Sequence, residues 1–183
     1  MCNSSLRKLP PHALVRRTPE EFRAAAKVPL VMVLDNVRSM HNVGAAFRIA
    51  DAFLVTKLYL CGITATPPHR EIHKTALGAE AHVAWEHVPN TVSAIEQLKT
   101  AGYQVLAVEQ AAGSVALQHF TPSASTMYAL VFGHEVFGVQ DNVLAACNQC
   151  LEIPQQGVKH SLNVSVSMGI AVWALLQTPK CND

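Results

Sequence analysis

Residues 30–34 read Leu-Val-Met-Val-Leu, an unbroken apolar run of strand length. A strand with one wet face alternates apolar and polar residues. A run that is apolar throughout is buried on both faces, as in a parallel sheet covered by helices on both sides. Further strands are expected at 57–61, 83–85, 103–108, 127–132 and 149–153. Helical segments fall between them, at 18–27, 42–53, 69–76, 91–101, 139–146 and 164–177. Parallel neighbours need a crossover, and helices lie where crossovers are required. The expected class is therefore α/β, a mostly parallel sheet with helices on both faces.

Local chemistry supports several boundaries. Thr18, Pro19 and Glu21 have the spacing of a capping box with proline at the first helical position. Asn90 caps the helix that Gly102 ends, and Asn42 is the expected cap of the second helix. Ser161 and Asn163 precede the last helix and read as caps.

The 183 residues suit one domain, and 50% hydrophobic with 15% charged residues rules out a disordered chain. The division expected is a basic arm with a short helix over residues 1–29 and a single domain over 30–183. The longest apolar run, from Met168 to Leu176, is nine residues and too short to span a membrane. The first residues lack the apolar stretch of a secretory signal, so a cytoplasmic protein with no membrane partner is expected. Five cysteines (Cys2, Cys61, Cys147, Cys150, Cys181) then read as reduced thiols. Cys147 and Cys150 form a lone CxxC, open to reading as a redox pair, half a zinc site or small buried residues. His69 and His73 share a helix face but lack a third ligand, so no metal is expected.

Net charge is +1 but uneven. Residues 1–27 carry six Lys/Arg against Glu20 and Glu21, whereas the remainder carries eight against eleven acidic residues. Such an arm is either a foothold on phosphates or a solvated helix.

In open parallel sheets ligands gather at the carboxyl ends of strands. Three post-strand loops are rich in glycine and polar groups: 35–44, 133–138 and 154–163. Gly133 and Gly138 have the spacing of a phosphate loop, but Val139 and Gln140 stand where Lys and Ser/Thr are needed. No G-x-G-x-x-G follows a strand, which argues against an ordinary NAD-binding unit. The glycines permit either close backbone approach or positive φ. Glu135 is either a solvated or helix-start carboxylate, or one that faces a ligand. Arg48 either snorkels to water or clamps a phosphate or carboxylate.

The three loops together resemble the SpoU/TrmH family of RNA 2′-O-ribose methyltransferases, within the SPOUT superfamily. The first motif is Asn42-Val43-Gly44-Ala45-Ala46-Phe47-Arg48. The second is Leu130-Val131-Phe132-Gly133-His134-Glu135-Val136-Phe137-Gly138. The third is Ile153-Pro154-Gln155-Gln156-Gly157, continuing through Ser161-Leu162-Asn163 to Val166. The resemblance covers residues 30–177. It implies a C-terminal trefoil knot and S-adenosyl-L-methionine as cofactor, held by backbone groups at Gly133, Ile153 and Leu162. It implies a homodimer acting on tRNA or rRNA, with sites completed across the interface. Asn42, Arg48, Glu135, Ser161 and Asn163 fall on the family's catalytic positions. A free guanidinium has a pKa above ~12, which favours Arg48 as a phosphate clamp over a base. Val136 stands where some anticodon-modifying relatives carry Arg, which leaves a tRNA loop elsewhere or an rRNA site. Two other readings remain open: an RNA-binding or assembly protein that keeps the fold without catalysis, and a flavodoxin-like nucleotide-binding protein.

Overall fold

The computed structural model describes residues 7–10, 13–14 and 16–177. Cys2, Cys181 and part of the basic arm lie outside them. Seven strands form one sheet: β1 (Val28–Asp35), β2 (Val55–Cys61), β3 (Trp85–Val88), β4 (Tyr103–Val108), β5 (Val115–Ala116), β6 (Met127–Phe132) and β7 (Gln149–Glu152). Their order is β3-β2-β1-β6-β4-β7-β5, and every pairing is parallel. Six α-helices accompany them among the described residues: α1 (Pro19–Ala24) before β1, α2 (Met40–Ala52), α3 (Arg70–Ala76), α4 (Thr91–Thr100) and α5 (Asp141–Ala146) between strands, and α6 (Val164–Leu175) after β7.

The continuous apolar strands feed two cores. Leu30, Met32 and Leu34 of β1 point to the layer that also buries Phe47 of α2, Ile72 of α3 and Met168 of α6. Val31 and Val33 point to the other face, against Ile95 of α4 and Val143 of α5. Alternate side chains of a strand project to opposite faces, so one strand serves both layers. Helices thus cover both faces of the sheet, as the sequence implies.

Helix boundaries follow local chemistry, with corrections. The Thr18 capping box forms, with Glu21 N–H donating to Thr18 Oγ1 and Thr18 N–H to the Glu21 carboxylate. The helix stops at Ala24, short of the expected 27: Ala25 N–H donates to Glu21 O, but Ala25 is itself extended, at ψ 143°, and the chain runs on into β1. The cap of α2 is Ser39, whose Oγ accepts from Asn42 N–H at 3.4 Å. Asn42 is therefore inside the first turn, and its side chain is free for another partner. Val83 belongs to the turn before β3, with its N–H on Ala79 O, so that strand begins at Trp85. As an edge strand, β3 tolerates polar residues, and its Glu86 pairs with Lys57 on β2 at 2.5 Å. The two-residue β5 is too short to leave a pattern in the sequence.

The sheet has a switch point between β1 and β6. The chain leaves β1 toward β2, on one side, and leaves β6 toward β7, on the other. Diverging connections open a crevice at the carboxyl ends of such neighbours. The loops at 35–39 and 133–140 emerge there.

Candidate active site

Gly133 directly follows the central strand β6, and the chain turns back on itself at once. His134 and Gly138 exchange both backbone hydrogen bonds, at 3.0 and 2.8 Å. Gly138 takes φ +67°, and a Cβ on Gly133 would lie 2.1 Å from the Gly138 carbonyl carbon and 2.2 Å from Val139 N. The loop closes only because Gly133 has no side chain. Here two segments of the protein's own backbone approach closely at Gly133, which also lines the cleft described below. Gly44 plays a similar part in the first motif. A Cβ there would meet Thr75 Oγ1 at 1.9 Å and Ile72 O at 2.5 Å, so α2 and α3 pack closely at that residue.

Glu135 turns from this loop toward the start of α2. Its carboxylate accepts from Asn42 Nδ2 at 2.7 Å, Ser39 N–H at 2.9 Å and Arg38 N–H at 3.0 Å. The first turn of α2 contains no acidic residue of its own, so Glu135 supplies the negative charge that a helix N-terminus favours. Partial burial would raise the Glu135 pKa, but the bonds from Asn42, Ser39 and Arg38 outweigh it and hold the carboxyl below the usual range. The helix stabilised is α2 rather than α5, which follows Glu135 in sequence. Glu135 ties the first motif to the second across the switch point.

A cleft of about 280 Å³ opens beside this junction at the ends of β4, β6 and β7. Five of the expected site residues line it: Gly133, Glu135, Ile153, Ser161 and Leu162. Three do not. Asn42 stands behind Glu135 as its hydrogen-bond donor. Asn163 caps α6, its Oδ1 accepting from Ser165 N–H at 2.8 Å. Arg48 is exposed on α2, outside the cleft, and its side chain is in no ion pair among the described residues.

Glu109 and Gln110, which follow β4, went unremarked in the sequence and also line the cleft. The Glu109 carboxylate accepts from Val139 N–H at 3.0 Å and Gln110 N–H at 2.8 Å. Gln110 Nε2 donates to His160 O at 2.8 Å. An acidic residue directly after the apolar run 105–108, at a strand's carboxyl end, is the signal that would have found them.

Burial pushes the Cys147 thiol up to about 12 and raises that of Cys150. Their sulfurs lie against the carbonyl oxygens of Val143 and Glu109, respectively. Neither has the lowered pKa of a reactive redox thiol, and both are half-buried, which leaves this CxxC nearest the reading of small packing residues. His69 Nδ1 accepts from Glu71 N–H, and His73 Nδ1 pairs with Glu80 Oε1 at 2.5 Å.

The sequence pattern of the SpoU rRNA Methylase family matches residues 29–173. The chain belongs to this family. The 23S rRNA (guanosine-2′-O-)-methyltransferase RlmB of Nitrosomonas europaea is 35% identical over 152 residues, covering 79% of this chain and 54% of that protein. The tRNA (guanosine(18)-2′-O)-methyltransferase of Aquifex aeolicus is 32% identical over 145 residues, covering 79% of this chain and 67% of that protein. The AdoMet-bound rRNA methyltransferase from Sinorhizobium meliloti superposes with a TM-score of 0.76 at 28% identity, over 87% of this chain and 60% of that one. The chain thus spans little more than half the length of several of these SpoU relatives. Among the described residues, no helix is long and apolar enough to cross a membrane.

Proposed function

We propose that this SpoU chain transfers a methyl group from S-adenosyl-L-methionine to a ribose 2′-hydroxyl of tRNA or rRNA. The observation that carries the reading is the Glu135 junction, which binds the first two family motifs together beside the cleft. The named relatives support it, since their named activities are guanosine 2′-O-methylations of 23S rRNA and tRNA.

The cleft suits the cofactor. Ile153, Leu162 and Val164 offer an apolar wall for an adenine ring, and Gly133 leaves backbone groups accessible beside it. Among the described residues, Glu109, Glu135, His134 and His160 line the cleft and no Lys or Arg does, which suits a ligand with a sulfonium cation. Backbone groups at Gly133, Ile153 and Leu162 would hold the cofactor. Bound there, it supplies an electrophilic methyl group, so the protein's work is positioning and proton removal. Glu135 fixes the motif loops, Asn42 holds Glu135, and Asn163 sets the start of α6 next to Ser161. Ser161, on the cleft wall, orients the ribose.

Arg48 enters through a second copy. It is exposed and lies outside its own chain's cleft, which fits a clamp on the target phosphate in a partner's cleft. Val166, Ile170 and Trp173 are 49%, 38% and 55% exposed at i, i+4 and i+7 on α6. A helix stripe of this kind is what a homodimer would cover. The reading extends to the trefoil knot at the C-terminal segment, to RNA contact by the basic arm of residues 1–29, and to a cytoplasmic location.

The test uses methyl-labelled S-adenosylmethionine with tRNA and rRNA pools that lack their native methylation. Label in one pool, resistant to alkali at one ribose and lost in Arg48→Ala, supports the reading. Cofactor binding without transfer to either pool would favour the RNA-binding reading instead.

A further inference from the structure

Glu109 sits where three loops meet. Its carboxylate takes the N–H of Val139, at the end of the second-motif loop, and of Gln110 in its own loop. Gln110 in turn holds the carbonyl of His160 in the third-motif loop. The fit is tight: a Cβ on Gly138 would lie 2.3 Å from Glu109 Oε2. The last glycine of the second motif is thus small so that this carboxylate can enter.

Among the described residues Glu109 is in no ion pair; its two donors are neutral amides, and the cleft is lined by His134 and His160 but by no Lys or Arg. Glu135, the other carboxylate there, is taken up by Asn42 and the start of α2. A carboxylate with neutral partners keeps a field that a partly enclosed cleft screens poorly. S-adenosylmethionine carries a sulfonium and a net charge of about +1 at neutral pH, whereas the thioether left after transfer is net neutral. A negative cleft discriminates between them by charge alone.

We propose that Glu109 is a positioning residue that also sets the preference of the cleft for the cationic methyl donor over its neutral thioether product. This rests on the methyltransferase reading. The role is one of binding and release: as the methyl group leaves, the attraction that held the donor weakens.

The test is calorimetric binding of S-adenosylmethionine, S-adenosylhomocysteine and sinefungin, which carries an amine near the sulfonium position, to the full chain. In Glu109→Gln the affinity for the two cationic ligands should fall about fivefold more than that for S-adenosylhomocysteine. Glu109→Asp keeps the charge and shortens the reach. It should weaken all three ligands together and leave their ratio unchanged. A merely structural role moves all three equally in both variants. Equal losses in Glu109→Gln, or a changed ratio in Glu109→Asp, would overturn the proposal. Wild-type protein that binds all three and transfers methyl, with an unmoved ratio in the Gln variant, refutes only the Glu109 role. Wild-type protein that binds none of them refutes the methyltransferase reading, and this proposal with it.

Discussion

Glu135 Oε1 and Asn42 Nδ2 lie 2.7 Å apart although 93 positions separate them in the chain. The same carboxylate also takes two backbone N–H groups at the start of α2. This junction holds two family motifs in one geometry, and it depends on ionisation, because a charged carboxylate accepts through both oxygens.

Glu135→Gln should destabilise the protein by about 2 kcal/mol, the scale of a charge-assisted hydrogen-bond set that loses its charge. It should also lower methyl transfer. The sign of the pH dependence follows from a native pKa held below the usual range. The stabilisation is complete above the ordinary glutamate range and is lost as pH falls through the lowered native value. Urea unfolding at a series of acidic pH values should show that decline in wild type and a flatter one in the variant. Parallel curves would assign the decline to other groups.

Gly133→Ala tests loop closure. The added methyl meets backbone rather than a flexible side chain, so nothing nearby can swing away. A loss of about 3 kcal/mol is expected, or roughly 10 °C in melting temperature for a domain of this size. A variant that melts like wild type would show that the loop can reopen freely.

Arg48→Ala should leave the melting temperature and cofactor affinity unchanged, because the side chain is exposed and outside the cleft. Methyl transfer should be abolished. If Arg48 serves the partner's cleft, mixing Arg48→Ala with Glu135→Gln protein restores one complete site per mixed dimer. Equal mixing then recovers about a quarter of wild-type activity through random pairing of protomers. No recovery after subunit exchange would mean that Arg48 acts within its own chain.

Trp173→Glu places a charge on the exposed α6 stripe. The domain should stay folded, since Trp173 is 55% exposed. Sedimentation should change from dimer to monomer, and transfer should fall with it. A variant that remains dimeric would move the interface away from α6.

Much of the fold was legible because burial writes itself into apolar runs. β1, β4 and β6 lie at the centre of the sheet and contain almost nothing polar. The caps Thr18, Asn90 and Asn163 were legible for a local reason: each bonds within three residues of itself. Edges were harder. β3 was displaced and β5 unseen, because an edge strand needs neither length nor an apolar pattern. At the site, the motifs located the loops but not the allocation of side chains within them. Ser39 and Asn42 are both good caps, and the residue that separates their roles is Glu135, far along the chain. Gly133 could be read as a site of close backbone approach or of positive φ, and which segment comes close, the backbone of Gly138 and Val139, is set by the loop's own closure.

The strand order has a consequence for synthesis. β6 lies between β1 and β4, yet both neighbours are made before it. Until Met127–Phe132 leaves the ribosome, β1 and β4 each present an open, apolar edge to whatever is nearby. Such edges invite pairing with other chains, and closure over a long sequence separation is slow. A nascent chain halted before residue 127 thus holds one partial sheet, β3-β2-β1, with β4 and β5 still waiting for the strands they pair with, a form for chaperones to shield.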